Sequence, residues 1–212
     1  MIALRVDNVE VKRSVFAVLN KNLKGEKFMP KSNSNTITNS TDDQYLLRPA
    51  TLWGSTFVAE VLPIFEENYP DDSRPRQSLE VAAKYVQGEK RGQELRRVSM
   101  AVFKICKEVD KPAKYVTKAA SAVSAVPYTH TDFQIGDQGW RQARHVLGPI
   151  VYAAYALELS KTSKVASDDM IDRAIKEAPT EVHTIIRNFP PQPSKTTRLD
   201  ILFKELDDGL RD

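Results

Sequence analysis

Glycine, cysteine and histidine are all scarce in this chain of 212 residues, with eight, one and three copies. The single cysteine, Cys106, excludes an internal disulfide and any zinc cage built from cysteines. It lies in an apolar helical pattern and reads as a small buried hydrophobe. So few glycines argue against a β-sandwich of many tight turns and against a phosphate-loop enzyme. No run approaches the roughly 18 apolar residues that a membrane helix needs. The first residues, MIALRVDNVEVKR, lack the positive region and long apolar core of a secretory signal. Together these absences lead to the expectation of a cytoplasmic protein with no membrane partner.

Catalytic and cofactor signatures are equally thin. His130, His145 and His183 share no metal-ligand spacing and fall in different segments. No GxSxG, Walker or dinucleotide glycine pattern occurs, and Gly54-Ser55-Thr56 lacks the preceding strand and the lysine of a phosphate loop. The adjacent carboxylates Asp71-Asp72, Asp168-Asp169 and Asp207-Asp208 sit in polar turns or at helix ends, where capping and the helix dipole explain them without catalysis. No metal and no cofactor is implied, and the expectation is a non-enzymatic protein.

What is present is helical periodicity. Apolar residues make up 41% and charged residues 28%, proportions ordinary for a globular protein with one sizeable core. Ile2, Leu4 and Val6 alternate like a strand, and Val11, Val15, Val18 and Leu19 then take helical spacing. The polar stretch from Ser32 to Gln44 reads as a linker that divides an N-terminal element, 1–44, from an all-α domain, 45–212. Helices are expected over about 51–67, 75–87, 89–109, 112–125 and 139–160, followed by a short helix capped by Ser167, one opened by Pro179 and a last one over 199–210. Pro63 and Pro149 fall inside two of these patterns and predict a kink or a break. In the third helix Leu95, Val98, Val102, Phe103 and Cys106 are expected to face inward, and Glu94 has the spacing to pair with Arg97. Its outer surface carries Lys90, Arg91, Arg96, Arg97, Lys104 and Lys107 against Glu89, Glu94 and Glu108. The expected fold is all-α, a compact multi-helix domain of seven to nine helices in helix-pair packing.

Arg74 and Arg76 flank Pro75 at the head of the second helix, beside its positive dipole end, where a cation is unfavourable. Forked guanidinium groups there call for an acceptor on another helix, with Glu60, Glu66, Glu80 and Asp132 as the carboxylates within sequence reach. An ion-pair lock between helices is the preferred role, ahead of a ligand clamp.

The wording around these arginines resembles a family of predicted immunity proteins from bacterial polymorphic-toxin systems, the fifth such family. The resemblance is carried by VLPIFE (Val61 to Glu66), an acidic turn, RPRQSLE (Arg74 to Glu80) and QGE (Gln87 to Glu89), and again by ARHVLGPIVYAAYAL (Ala143 to Leu157). It covers roughly residues 51–160 and leaves the C-terminal helices, 161–212, outside. Tyr85 stands where family members often have tryptophan, and Trp53 is followed by Gly54-Ser55 rather than a run of alanines. The resemblance implies an α-helical protein that binds and neutralises a cognate protein toxin. It singles out Arg74, Pro75, Arg76, Glu80, Gly88, Glu89 and His145 as structural or interaction positions.

Two other functions compete with toxin binding. The net charge of +3, the excess of cations before residue 32 and the basic face of the third helix suit a helical protein that associates with nucleic acid. A small enzyme using His145 with Arg74 or Arg76 would need a deep polar pocket joining them.

Overall fold

The computed structural model describes residues 42–129 and 139–212, and the regular structure among the described residues is eight α-helices and one 3-10 turn, with no strand. The helices are α1 (Asp42–Glu66), α2 (Arg74–Val86), α3 (Gln93–Ile105), α4 (Lys111–Ala125), α5 (Trp140–Lys161), α6 (Lys164–Lys176), α7 (Thr180–Asn188) and α8 (Arg198–Arg211), with the 3-10 turn at Val126–Tyr128. The expected all-α class is therefore the observed one. The strand-like lead-in and first helix expected before residue 24, most of the polar linker and the basic excess of residues 1–31 lie outside the described residues. So do His130, Asp132 and Asp137.

The helix α1 is 25 residues long and carries Pro49 and Pro63 in its interior without breaking. It begins at Asp42, well before the expected start, and beyond Pro63 the Glu67 amide still reaches the Pro63 carbonyl at 3.0 Å. Three hydroxyls return bonds to carbonyls one turn back: Thr51 to Leu47 at 2.7 Å, Ser55 to Thr51 at 2.7 Å and Thr56 to Leu52 at 3.1 Å. Thr51 and Ser55 are buried, so this back-bonding satisfies polar groups that water does not reach. In α5 the helix likewise runs through Pro149 from Trp140 to Lys161.

The helices α1, α4 and α5 pack against one another at the centre, with α2 and α3 against the α4 side and α6, α7 and α8 against α5 and the rest of α1. Small side chains make the central approach close. Ala113, Ala119, Ala120, Ala153, Ala154 and Ala156 are fully buried between these helices. At Gly54 a β-carbon would stand 3.0 Å from Pro149 Cβ, so α1 and α5 meet so closely that any side chain there requires the proline to give by a few tenths of an ångström. Large side chains fill the space on either side, among them the fully buried Phe57, Phe65, Phe203 and Leu147. Each contributes about 1.5–3 kcal/mol by leaving water.

Neutral hydroxyl pairs join α2 and α3 to α4. Ser78 donates to the Ala120 carbonyl at 2.7 Å, and Ser124 donates to the Ser78 carbonyl at 3.0 Å. Ser99 and Ser121 each donate to the other's carbonyl at 2.9 Å. Cys106 is buried at the end of α3 with its sulfur 3.1 Å from Thr117 Oγ1, the small core residue expected of it.

Charged groups join the C-terminal helices. Arg198 donates to Glu158 at 2.8 Å and to Ser167 at 2.8 Å, and also pairs with Asp168. Ser167 does not cap α6. It lies inside that helix, buried, and donates to Glu158 Oε2 at 2.6 Å. Asp207 is likewise no helix-end carboxylate: it is fully buried within α8, accepting from Arg211 at 2.8 Å and from the Gln192 amide at 3.0 Å. Gln192, in the extended proline-rich segment, also receives Arg144 at 2.8 Å and donates to the Trp140 carbonyl at 2.7 Å.

Leu95, Val98 and Val102 face inward from α3 as expected, but Phe103 does not. It stands 51% exposed on the outer side, and Ile105 takes the inward position. Glu94 and Arg97 form no ion pair among the described residues.

The contact at Gly54 has a measurable consequence. Replacing Gly54 with valine puts side-chain atoms against the Pro149 ring, and helix propensity cannot compensate. Thermal and urea unfolding should show a loss of about 1–3 kcal/mol. By contrast, Glu60→Ser on the exposed side of the same helix should change stability by no more than about 1 kcal/mol, the worth of its exposed pair with Arg173.

Candidate functional site

The positions singled out by sequence do not gather into one pocket; most of them frame α2. The turn from Asn68 to Ser73 delivers the chain to the head of that helix, where Pro75 is buried in the first turn with its ring suited to a position that needs no amide hydrogen. Asp72 completes the start. Its carboxylate accepts the Arg74 backbone amide at 3.1 Å and grips the guanidinium through Nε at 2.8 Å and Nη2 at 2.6 Å. A carboxylate thus stands at the positive helix end and neutralises the cation placed there. The bond from the Arg74 side chain is the main cause that holds the Asp72 carboxyl below its ordinary range. The partner of Arg74 is therefore in the turn, two residues back, and not on another helix.

Arg76 does reach another helix. It makes a forked pair with Glu66 at the end of α1, through Nε at 2.8 Å and Nη2 at 2.6 Å. Both side chains are about three-quarters buried, at 21% and 26% exposure. This is the expected lock between helices, and Glu66 is the carboxylate that closes it. Glu60 is committed elsewhere, to Arg173 of α6 at 2.6 Å. Glu80 is exposed on α2.

The far end of α2 is closed by Gly88 and Glu89. Gly88 has φ +119°, a conformation that a β-carbon would strain. Its amide bonds to the Tyr85 carbonyl and that of Glu89 to the Lys84 carbonyl, both at 3.1 Å, the paired closure of a Schellman turn. Arg48 of α1 crosses to this end, lying over the Tyr85 ring at 4.4 Å and donating to the Glu89 carbonyl at 3.0 Å. Thus α1 holds α2 at both ends, by Glu66 at its start and by Arg48 at its finish. Sequence reasoning misses Arg48, since a bond to a main-chain carbonyl leaves no mark on the acceptor residue's identity.

His145 is exposed on α5. An open depression beside the turn is lined by residues 68–74 and includes neither Arg76 nor His145. His183 lies on α7, its Nδ1 2.8 Å from the Leu210 carbonyl. Among the described residues no group of three histidine, cysteine, aspartate or glutamate side chains is placed to hold a metal ion. None of the helices described is long and apolar enough to cross a membrane. The phenols of Tyr115 and Tyr152, which meet between α4 and α5, are pushed up by burial and stay protonated at neutral pH.

What remains as a surface of distinct character is the outer side of α3. It presents Met100 at 59% exposure and Phe103 at 51%, with exposed Arg96, Arg97 and Lys104 around them. Arg96 lies over the Tyr128 ring at 4.7 Å.

The described helices thus present a framed α2 and, on α3, an outward face both basic and apolar. Residues 42–134 match the family model described as "Imm-5 like putative immunity protein". The match spans somewhat under half of the chain, from the start of α1 past the 3-10 turn, and it stops short of the Ala143 to Leu157 segment and of His145. No curated protein and no solved structure gives a match.

The two arginines should separate in unfolding experiments. Arg76→Ala leaves Glu66 partly buried without its fork and should cost about 1–2 kcal/mol. Arg74→Ala removes a local and more exposed pair and should cost no more than about 0.5 kcal/mol. Because the Asp72 carboxyl is lowered in the folded state, its stabilising contribution is full above the ordinary value of about 4 and is lost as pH falls through the lowered folded value. Asp72→Asn should therefore flatten the acid side of the stability profile while also lowering stability at neutral pH.

Proposed function

We propose that this chain is an immunity-type protein that binds a cognate protein toxin in the cytoplasm and neutralises it by contact, without catalysis. The observation that carries the reading is the match of residues 42–134 to the immunity-protein family model. The span matched includes the whole unit of α1 to α4, with the Arg76–Glu66 lock and the closure at Gly88. Its motif residues make a rigid helix pair, which suits a protein that must present a preformed surface rather than reorganise on binding. Blocking a toxin requires such a surface with a few anchoring side chains, and no catalytic machinery.

Co-expression tests the reading. A bacterial host carrying the toxin domain encoded beside this chain's gene should stop growing when the toxin is induced alone and should grow when this chain is produced with it. Growth arrest in the presence of abundant soluble protein would overturn the proposal.

A further inference from the structure

The outward stripe of α3 is exposed, and Arg96, over the Tyr128 ring, is its one link to another element among the described residues. Residues 96, 97, 100, 103 and 104 recur at helical spacing, and 107 follows on the turn beyond. Their side chains are Arg96, Arg97, Met100, Phe103, Lys104 and Lys107, all exposed. The helix is anchored from its other side, by Leu95, Val98, Val102 and Ile105 and by the reciprocal bonds of Ser99 with Ser121. None of the four cations forms an ion pair among the described residues. Six other arginines, Arg74, Arg76, Arg144, Arg173, Arg198 and Arg211, each grip a carboxylate, and Arg91 and Arg187 donate to main-chain carbonyls.

Four like charges along one helix face repel one another, and two large apolar side chains among them remain wet. A partner that brings carboxylates around an apolar centre removes both costs at once. Phenylalanine, methionine and arginine are also the side chains favoured at the cores of protein interfaces. A single-stranded nucleic acid would neutralise the cations and stack a base on Phe103, but a thioether beside the ring, Met100, is matched better by an apolar protein surface. The geometry points to the outward face of α3 as the surface that holds the toxin, through an acidic toxin surface with an apolar centre. This assignment rests on the neutralisation reading above.

The probe is the toxin domain encoded beside the gene, titrated into the full chain by calorimetry at low and high salt. Three variants are compared with the unaltered chain: M100S/F103S, the reversal R96E/R97E/K104E, and the control V165S/K176E on α6, which alters an equally exposed valine and lysine. M100S/F103S should weaken binding by about thirtyfold or more. The charge reversal should weaken it further at low salt than at high salt, chiefly through slower association. The control should bind like the unaltered chain. All the altered positions are exposed, so helical circular dichroism should be retained; if M100S/F103S loses it, the charge reversal decides.

Equal binding by both α3 variants would overturn the assignment and leave neutralisation standing. An unaltered chain that neither binds nor protects would overturn neutralisation itself, and the assignment with it. If the unaltered chain holds a fluorescent single-stranded RNA near physiological salt, and only that binding is lost on charge reversal, the face serves nucleic acid and the proposal fails. It fails equally if the unaltered chain is a dimer, M100S/F103S is a monomer, and toxin binding is unchanged.

Discussion

Three helices can lie side by side only where the side chains between them are small, and this requirement governs the centre of the molecule. The helices α1, α4 and α5 meet through buried alanines and, at Gly54, through a bare backbone set against the Pro149 ring. Close approach brings main-chain carbonyls within reach of short hydroxyl side chains. At the contacts of α2 and α3 with α4 the bonds of Ser78 and Ser124, and of Ser99 and Ser121, fix those two helices in place.

The helices themselves are legible in the sequence because a half-buried helix must repeat its apolar residues every three to four positions. Pro75, Pro112 and Gly88 mark ends for simple stereochemical reasons, and the structure keeps each mark. Of the kink or break expected at the interior prolines, the break does not occur: α1 and α5 continue through Pro63 and Pro149. Phe103 misleads because burial is a one-way rule: an apolar residue near the inward face is not compelled to be inside. Asp207 misleads in the opposite sense. A polar residue reads as surface until its partners are known, and here the partners are Arg211 and the Gln192 backbone amide. At the candidate site, charge and reach put Glu66 among four candidate carboxylates, and only the tertiary fold selects it for Arg76. The Arg74 partner lies nearer than another helix, because a turn lets a side chain fold back on a neighbour two residues off.

The two sides of the molecule are held by different forces. Hydroxyl-to-carbonyl bonds between α2, α3 and α4 are neutral and dry, whereas α5, α6 and α8 meet through Arg198, Glu158, Asp168 and Arg144 with Asp200. The Asp200 carboxyl is held below its ordinary range by the Thr197 hydroxyl and then by Arg144. Protons and salt therefore act on both sides, on the C-terminal network and, within the region matched to the immunity-family model, on the Asp72–Arg74 and Arg76–Glu66 pairs that frame α2.

The division of labour on α3 has a bearing on how such a sequence changes through time. The buried contacts that fix the helix point one way, and of the outward side chains only Arg96 reaches another element, over the Tyr128 ring. Selection can therefore rewrite that face one residue at a time without passing through an unfolded ancestor. A lineage under pressure to follow a changing partner is free to drift there, while Ser99 and its serine counterpart hold the scaffold still.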